Sequence, residues 1–462
     1  MRVKMIAVTA LLLVAFAASV LCSADAGLTE TQEVYTISTV DEYLTYATYI
    51  ASGDTAYAAA SYRLANSIGF YGVSFVPFGI AENPFKGVFD GCGYCLNDIT
   101  YSTSRTACGV FGAAENAVIR NLGVVNAGLT ATGGSVDAGL LVGLYTGTSA
   151  DNKGGISRCF ASGQLTVNSR KGATVTAGGL IGNIVASGEH SSNCVTDSYA
   201  NVDVTTKNST MAIVGGIAGR AGSSRFDGSF TMCHCVSAGT LRVSASSGAD
   251  VGGLIGFLRN ESGWLETGPG ASLSGDETND DEHECFSVCQ IEALANITAV
   301  SPTIAVSTEP AAKYKLYYGK SFSGDRDDAD IAVEDEKIAD ASFLTSVLGF
   351  DFDTVWTLSA DGSMPDLRRN AAVLFEDETY YADGLTTLRI SANSTRAAML
   401  AAAAYDADGR LIVTVCIPVT KDIAQTLEIP SDSIPASVRL YLLDGVTPLC
   451  SHVSAVPAPE EE

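Results

Sequence analysis

The chain has four histidines, His190, His234, His283 and His452, and hydrolytic chemistry on a helix would start from them. A zinc hydrolase site of that kind needs H-E-x-x-H, with two imidazoles on one helical face and a glutamate as base. None of the four has a second histidine four residues away, and Asp281-Glu282-His283-Glu284 lacks its partner. Paired carboxylates are the other route. Glycan cleavage on a β-scaffold sets two of them, or an Arg/Lys base, at one height on neighbouring strands. Asp197 and Asp203 lie six residues apart with nothing equivalent in the next repeat, so a solvated surface is the plainer reading. Two acidic clusters offer oxygen ligands of the kind calcium takes: Asp325, Asp327, Asp328 and Asp330, and Asp276, Asp280, Asp281 and Glu282. Neither has the glycine at the sixth position or the distal glutamate of a calcium loop, and solvated loop charge accounts for both. The run G-G-L-I-G has no following G-K-S/T, so its glycines read as backbone corners rather than a phosphate cradle. Trp264, Tyr314, Tyr317 and Tyr318 carry two readings, exposed platforms for sugar rings or loop aromatics packed on the scaffold. No catalytic, cofactor-binding or metal-binding residue is assigned, and no cofactor is expected.

The elements that would carry any site are repetitive. Glycine-apolar-apolar-glycine runs end at Gly143, Gly182, Gly219 and Gly256, spaced by 39, 37 and 37 residues. Sixteen residues beyond the first three stand Cys159, Ser198 and Cys235, heading C-F-A-S-G-Q-L, S-Y-A-N-V-D-V and C-V-S-A-G-T-L. Two landmarks in register over more than a hundred residues mean a repeated unit stacked on its neighbours. Leu122 lies 37 residues before Cys159, so the array starts before the first glycine run. From Gly256 to Cys285 the gap grows from 16 to 29, and the extra residues fall within Asn260 to His283, an inserted surface loop.

The first 26 residues read as a removed secretory signal: Arg2 and Lys4, an apolar run from Ile6 to Leu21, then Ala24-Asp25-Ala26. The run is short for a membrane anchor, and Leu21 stands where lipid attachment at Cys22 would want a small residue. Without this segment the formal charge moves from −25 to −26, since two positive and one negative charge leave. So acidic a chain repels nucleic acid and anionic lipid. Eleven cysteines remain, an odd number that excludes complete internal pairing. Cys159, Cys235 and Cys285 share one repeat position with Ser198, as a buried ladder of small side chains or as a disulfide pair. Cys233 and Cys235, two apart, would point to one face of a strand, and one pair among Cys92, Cys95 and Cys108 could bridge neighbouring strands.

Along the chain, Tyr35–Ser38 reads as a strand, and Thr39 with Glu42 has capping-box spacing. Tyr43, Leu44, Ala47, Ile50 and Ala51 then fall at helical spacing, and Gly53 ends the element. One amphipathic helix ahead of a repeat array serves as a lid over an open apolar end. Tyr62–Ile68 and Phe75–Phe78 read as strands, and Val118–Val125 as the first copy of the second landmark. The repeat is expected to end near Pro310, with a short helix at Phe343–Leu348 and aromatics from Gly349 to Trp356 closing the far end. Beyond about Glu376, Leu400–Tyr405, Leu411–Ile417, Thr426–Ile429 and Val438–Leu443 are strand-length runs, with Asp406–Gly409 as a turn. Ala401–Ala404 alone would suit a helix; its neighbours favour a strand.

These features resemble the GLUG-motif family of bacterial surface proteins. The matches are the four glycine runs, I-S-R-C-F-A-S-G-Q-L at Ile156–Leu165, the opening I-S-T-V-D-E-Y-L through F-K-G-V-F-D-G-C-G-Y and G-V-F-G, and L-G-F-D-F-D-T-V-W through Leu367, together about residues 35 to 370. The resemblance implies a right-handed parallel β-helix exported by a bacterium. The A-A-Y-D-A-D-G-R-L segment is similar to small immunoglobulin-like modules. The motif also occurs in IgA-specific metallopeptidases, whose H-E-x-x-H is missing from this chain.

The expected molecule is all-β: residues 1–26 a signal peptide, 27–372 a parallel β-helix (solenoid) with an N-terminal capping helix, and 373–462 a small immunoglobulin-like β-sandwich with an acidic tail. The expected role is non-enzymatic binding, secreted or at the cell surface, of a host or cell-envelope macromolecule, with glycan among the candidates. Nucleic acid and an integral membrane anchor are not expected. A glycan-active β-helix enzyme and a structural envelope component are the alternatives.

Overall fold

The computed structural model describes residues 34–456 apart from 149–153, 189–190, 224–228, 260–284, 296–297, 308–315, 321, 323–330, 360–361, 369–370, 376–379, 383, 395–397, 409, 420–422, 431–432 and 445–446. The segment read as a signal, the segment read as an inserted loop, both acidic clusters, Trp264, Tyr314, His190, His283 and Pro310 lie outside the described residues, as does the side chain of His452.

The chain enters through the strand Val34–Ile37 and the helix Val40–Ala51. Thr39 Oγ1 accepts from Glu42 N at 3.2 Å, and Glu42 Oε2 accepts from Thr39 N at 3.1 Å, closing the expected capping box. Tyr43, Ala47 and Ile50 face inward. Tyr43 meets Phe70, Phe75 and Phe78 with ring centroids 5.0–5.8 Å apart, and Phe78 continues the cluster to Phe85, Phe89 and Phe111. The helix is thus fastened to the end of the core by aromatic packing. Thr39→Ala, which orphans one backbone donor, is expected to lower stability by about 1 kcal/mol, read from the urea midpoint at constant m-value.

Phe75–Phe78 is not a strand, contrary to expectation. Pro77 has no N–H to give to a ladder, and only Phe78 N bonds onward, to Val110 O at 2.8 Å. Phe75 and Phe78 are nevertheless buried, packed by their rings into the aromatic cluster.

Most described residues are in strands, and the largest sheets are parallel: one of 21 strands and one of six. Their register follows the sequence spacing. In the six-stranded sheet Val142 pairs with Ile181, Ile181 with Ala218, Ala218 with Ile255 and Ile255 with Ile304. In the larger sheet Phe160 pairs with both Gly123 and Tyr199, Tyr199 with Val236, and Val236 with Phe286. Like side chains meet inside: Tyr145, Ile184, Ala221 and Leu258 share one buried column, and Leu165, Val204 and Leu241 another. Pairing continues past residue 310, since Leu316–Gly319 pairs with Cys285–Ser287 and then with Ile331–Val333, so the array is longer than expected.

Two backbone devices turn the chain. Where the sheets approach each other, a Cβ on Gly219 would stand 2.6 Å from Ala177 N and 2.8 Å from Gly182 O, and one on Gly256 2.7 Å from Val214 N. No side chain larger than hydrogen fits between strands so close. The second device is a column of left-handed residues, Asn121, Arg158, Asp197 and His234, with φ of 47–52°. The residue after each of the last three turns its thiol or hydroxyl back to the carbonyl preceding the corner: Cys159 Sγ to Ser157 O at 3.3 Å, Ser198 Oγ to Thr196 O at 2.7 Å, Cys235 Sγ to Cys233 O at 3.3 Å. This explains why cysteine and serine alternate in the second landmark. It also corrects the expectation for Cys233 and Cys235. The left-handed His234 separates them, the strand ends at Cys233, and Cys235 turns into the core.

The helix expected at Phe343–Leu348 forms at Ala341–Ser346, capped by Asp340 Oδ1 accepting from Phe343 N at 3.0 Å. The aromatics after it do not close an end. They lie as a strap across the side of the large sheet: Phe350 against His234, Trp356 against Phe350 and Tyr199, and Asp366 accepting from Tyr199 OH at 2.7 Å. Outward-facing apolar residues of the sheet, Phe160, Tyr199, Val236, Phe286 and Tyr317, supply the surface it covers. Burial of those rings, not of an exposed cross-section, places the segment.

The C-terminal residues form two four-stranded antiparallel sheets, one holding Ala371–Phe375, Tyr380–Ala382, Leu385–Ser394 and Ile423–Pro430, the other Ala398–Tyr405, Leu411–Val419, Ser437–Asp444 and Thr447–Ala455. They share a core of Leu388, Ile390, Leu400, Ala402, Ile429, Leu440 and Leu442. Ala401–Ala404 is strand, as its neighbours imply.

Candidate functional site

One side of the large sheet is free of the strap and presents short polar side chains in register. Ser102 pairs with Thr130, Thr130 with Thr166, and Thr166 with Thr205. Beside them run Gln164 and Asp203, and Thr132, Asn168 and Lys207. Alternate residues Leu129, Ala131, Leu165, Val167 and Val204 point into the core, so the polar set must point out. Parallel strands set these side chains about 4.8 Å apart along each column. Toward the next repeats the face becomes charged: Arg242 lies 3.0 Å from Glu292 and 3.8 Å from Asp203. Exposed pairs of this kind add little stability, so they shape the surface more than they hold it. The face offers hydroxyl and amide groups in regularly spaced columns.

A second polar feature sits at the glycine corners. Asp137 and Asp250 stand two residues before Gly139 and Gly252, and Asn183 and Arg220 directly after Gly182 and Gly219. Asn183 Nδ2 donates to Asp137 Oδ2 at 3.4 Å. Burial pushes both carboxyls above the usual carboxylate range, only partly offset at Asp137 by hydrogen bonds from Asn183 and Thr176 and at both by the Arg220 charge. Asn183 Oδ1, Arg220 Nε and Asp250 Oδ1 are buried without a protein hydrogen-bond partner. Sequence reasoning missed this cluster, whose signal is the constant offset from the glycine runs. Because the folded Asp137 carboxyl keeps a proton that the unfolded chain releases, stability falls as pH rises through that window. Asp137→Asn is therefore expected to be more stable than the parent at pH 7, with the gap closing below the ordinary carboxylate range. A pH-independent difference in urea midpoints would contradict it.

The carboxylates considered as a pair are not brought together as one. Asp197 Oδ1 lies 3.1 Å from His234 Nδ1 and 3.4 Å from Trp356 Nε1, under the strap. Asp203 belongs to the open face, where its Oδ1 accepts from Thr240 N at 2.9 Å. His234, the one described histidine side chain, turns its other edge to Gly349, whose Cβ would stand 3.2 Å from Nε2. Asp197 and His234 thus fasten the strap, their side chains 21% and 20% exposed. Tyr317 and Tyr318 are buried, at 6% and 3% exposure, which removes them as sugar platforms. Among the described residues no group of three or more His, Cys, Asp or Glu could hold a metal ion, and no helix is long and apolar enough to cross a membrane.

No protein-family model matches the chain, and no curated protein matches it either.

Proposed function

We propose that this chain is a non-enzymatic, secreted or surface-displayed bacterial protein of GLUG type, binding a host or cell-envelope polymer, with glycan the best fit. Its array winds as a right-handed parallel β-helix, capped by the Val40–Ala51 helix and followed by an immunoglobulin-like module. The secretory signal read in the first 26 residues supports export. Parallel pairing of Phe160 with Tyr199, 39 residues on, and of Ile181 with Ala218, 37 residues on, supports the winding. One observation carries the binding reading: the in-register column Ser102, Thr130, Thr166 and Thr205 on a side the strap leaves uncovered. A repeating ligand meets the same donors and acceptors at every step, so weak contacts add along its length.

The test is retention on immobilised mucin and on a panel of plant and bacterial polysaccharides, for the parent and for Thr166→Asp/Thr205→Asp. Binding by the parent, weakened about tenfold or more in the double variant, is the expected result. Retention by none of the polymers would count against the binding role and favour a structural one. Release of shortened chains from any polymer would favour the enzyme.

A further inference from the structure

We propose that Cys235 and Cys285 form an intramolecular disulfide when the chain folds in contact with a disulfide oxidant. Cys285 opens the strand Cys285–Ser287, and Cys235 directly precedes its parallel neighbour Val236–Ala238. Val236 pairs with Phe286 and Ser237 with Ser287, and Phe286 N donates to Cys235 O at 2.9 Å, which carries the register back by one residue to the two cysteines. Parallel strands lie about 4.8 Å apart, inside the roughly 4.4–6.8 Å window of Cα separations that a disulfide spans. Both side chains are fully buried on the core side, where Cys235 Sγ donates to Cys233 O at 3.3 Å and Cys285 Sγ to the adjacent Met232 O at 3.8 Å.

The other thiols are placed differently. Cys159 is separated from Cys235 by Ser198 in the same column. Cys194 pairs with Thr231 while Cys233 pairs with Thr196, two positions out of register. Cys416 is exposed on the C-terminal module.

The chemistry is thiol–disulfide exchange. The Cys235 thiolate attacks one sulfur of a low-molecular-weight disulfide such as oxidised glutathione, forming a mixed disulfide and releasing one glutathione thiolate. Cys285 sulfur then attacks the Cys235 sulfur and releases the second. Two cysteine thiols are oxidised, one disulfide is reduced, and the two protons leave on the released thiols. Neither sulfur is reachable in the finished fold, so the bond must form as the strands assemble. It would tie Cys285, which directly follows segment 260–284, to the corner ahead of Val236–Ala238.

The test supplies its own oxidant, so it stands apart from the export reading. Full-length protein is refolded from denaturant with and without a glutathione redox buffer, then analysed by intact mass and by peptide mapping without reduction. Oxidised refolding is expected to remove the mass of two hydrogens and to yield a linked Cys235–Cys285 peptide. Cys235→Ser, which installs the residue already tolerated at Ser198, should abolish the link, whereas Cys194→Ser and Cys233→Ser should not. Absence of that linked peptide from correctly folded protein, or a link to Cys194 or Cys233 instead, would overturn the assignment.

Discussion

Gly219→Val is expected to unfold the array or to destabilise it by about 3 kcal/mol or more, the upper range for forcing volume into a packed interior. The reason is local and steric. The three atoms nearest a Cβ at this position are all backbone: Ala177 N at 2.6 Å, Ala177 O at 2.7 Å and Gly182 O at 2.8 Å. Backbone in paired strands cannot rotate aside as a side chain can. The strands Ala218–Ser223 and Thr174–Gly178 would have to part, and each pairs with neighbours on both sides. Gly128→Ala is the control, since a Cβ there meets nothing within 4 Å. Circular dichroism and urea unfolding should separate the two variants clearly. Equal midpoints for both would mean that the sheets do not approach as described.

Trp356→Ala carries the second large effect. Trp356 is fully buried and joins Phe350, Tyr199 and the carboxylate of Asp197. Truncating a buried aromatic of this size costs about 3–5 kcal/mol when the surroundings cannot collapse. The loss should fall on the strap first, because the sheet beneath keeps its own ladder. Limited proteolysis is expected to cut within residues 340–367 at a rate far above the parent, before the array is touched. Trp356→Phe, which keeps most of the packing and drops the hydrogen bond to Asp197, should sit between. Proteolysis unchanged from the parent would place the strap's stability elsewhere.

Much of the array was legible because its geometry imposes a period. Core columns demand apolar residues at fixed intervals, and close sheet approach demands glycine, so Gly143, Gly182, Gly219 and Gly256 mark the repeat directly. The equivalence of Cys235 and Cys285 across a long insertion also holds, because pairing resumes in register after it. Non-periodic features were harder. The left-handed column is filled by Asn121, Arg158, Asp197 and His234, which share a backbone shape and no side-chain chemistry. The strap was read as an end cap because its aromatics do not say which apolar surface they cover. That surface comes from Phe160, Tyr199 and Val236, scattered through the sequence and adjacent only after pairing. In the C-terminal module, Leu385–Ser394 and Thr447–Ala455 escaped notice, the first because polar residues alternate through it. The open polar face was overlooked for a related reason. Threonine and serine are common everywhere, and their alignment exists only once the register is known.

Distances between spin labels attached orthogonally at Ser102 and, in turn, Thr205, Arg242 and Glu292 test the stacked register most directly. With one parallel step per repeat, the backbone separations should rise evenly through about 14, 19 and 24 Å, whatever the number of intervening residues. Distances that fail to climb by one strand spacing per repeat would contradict the register on which both the fold and the binding face depend.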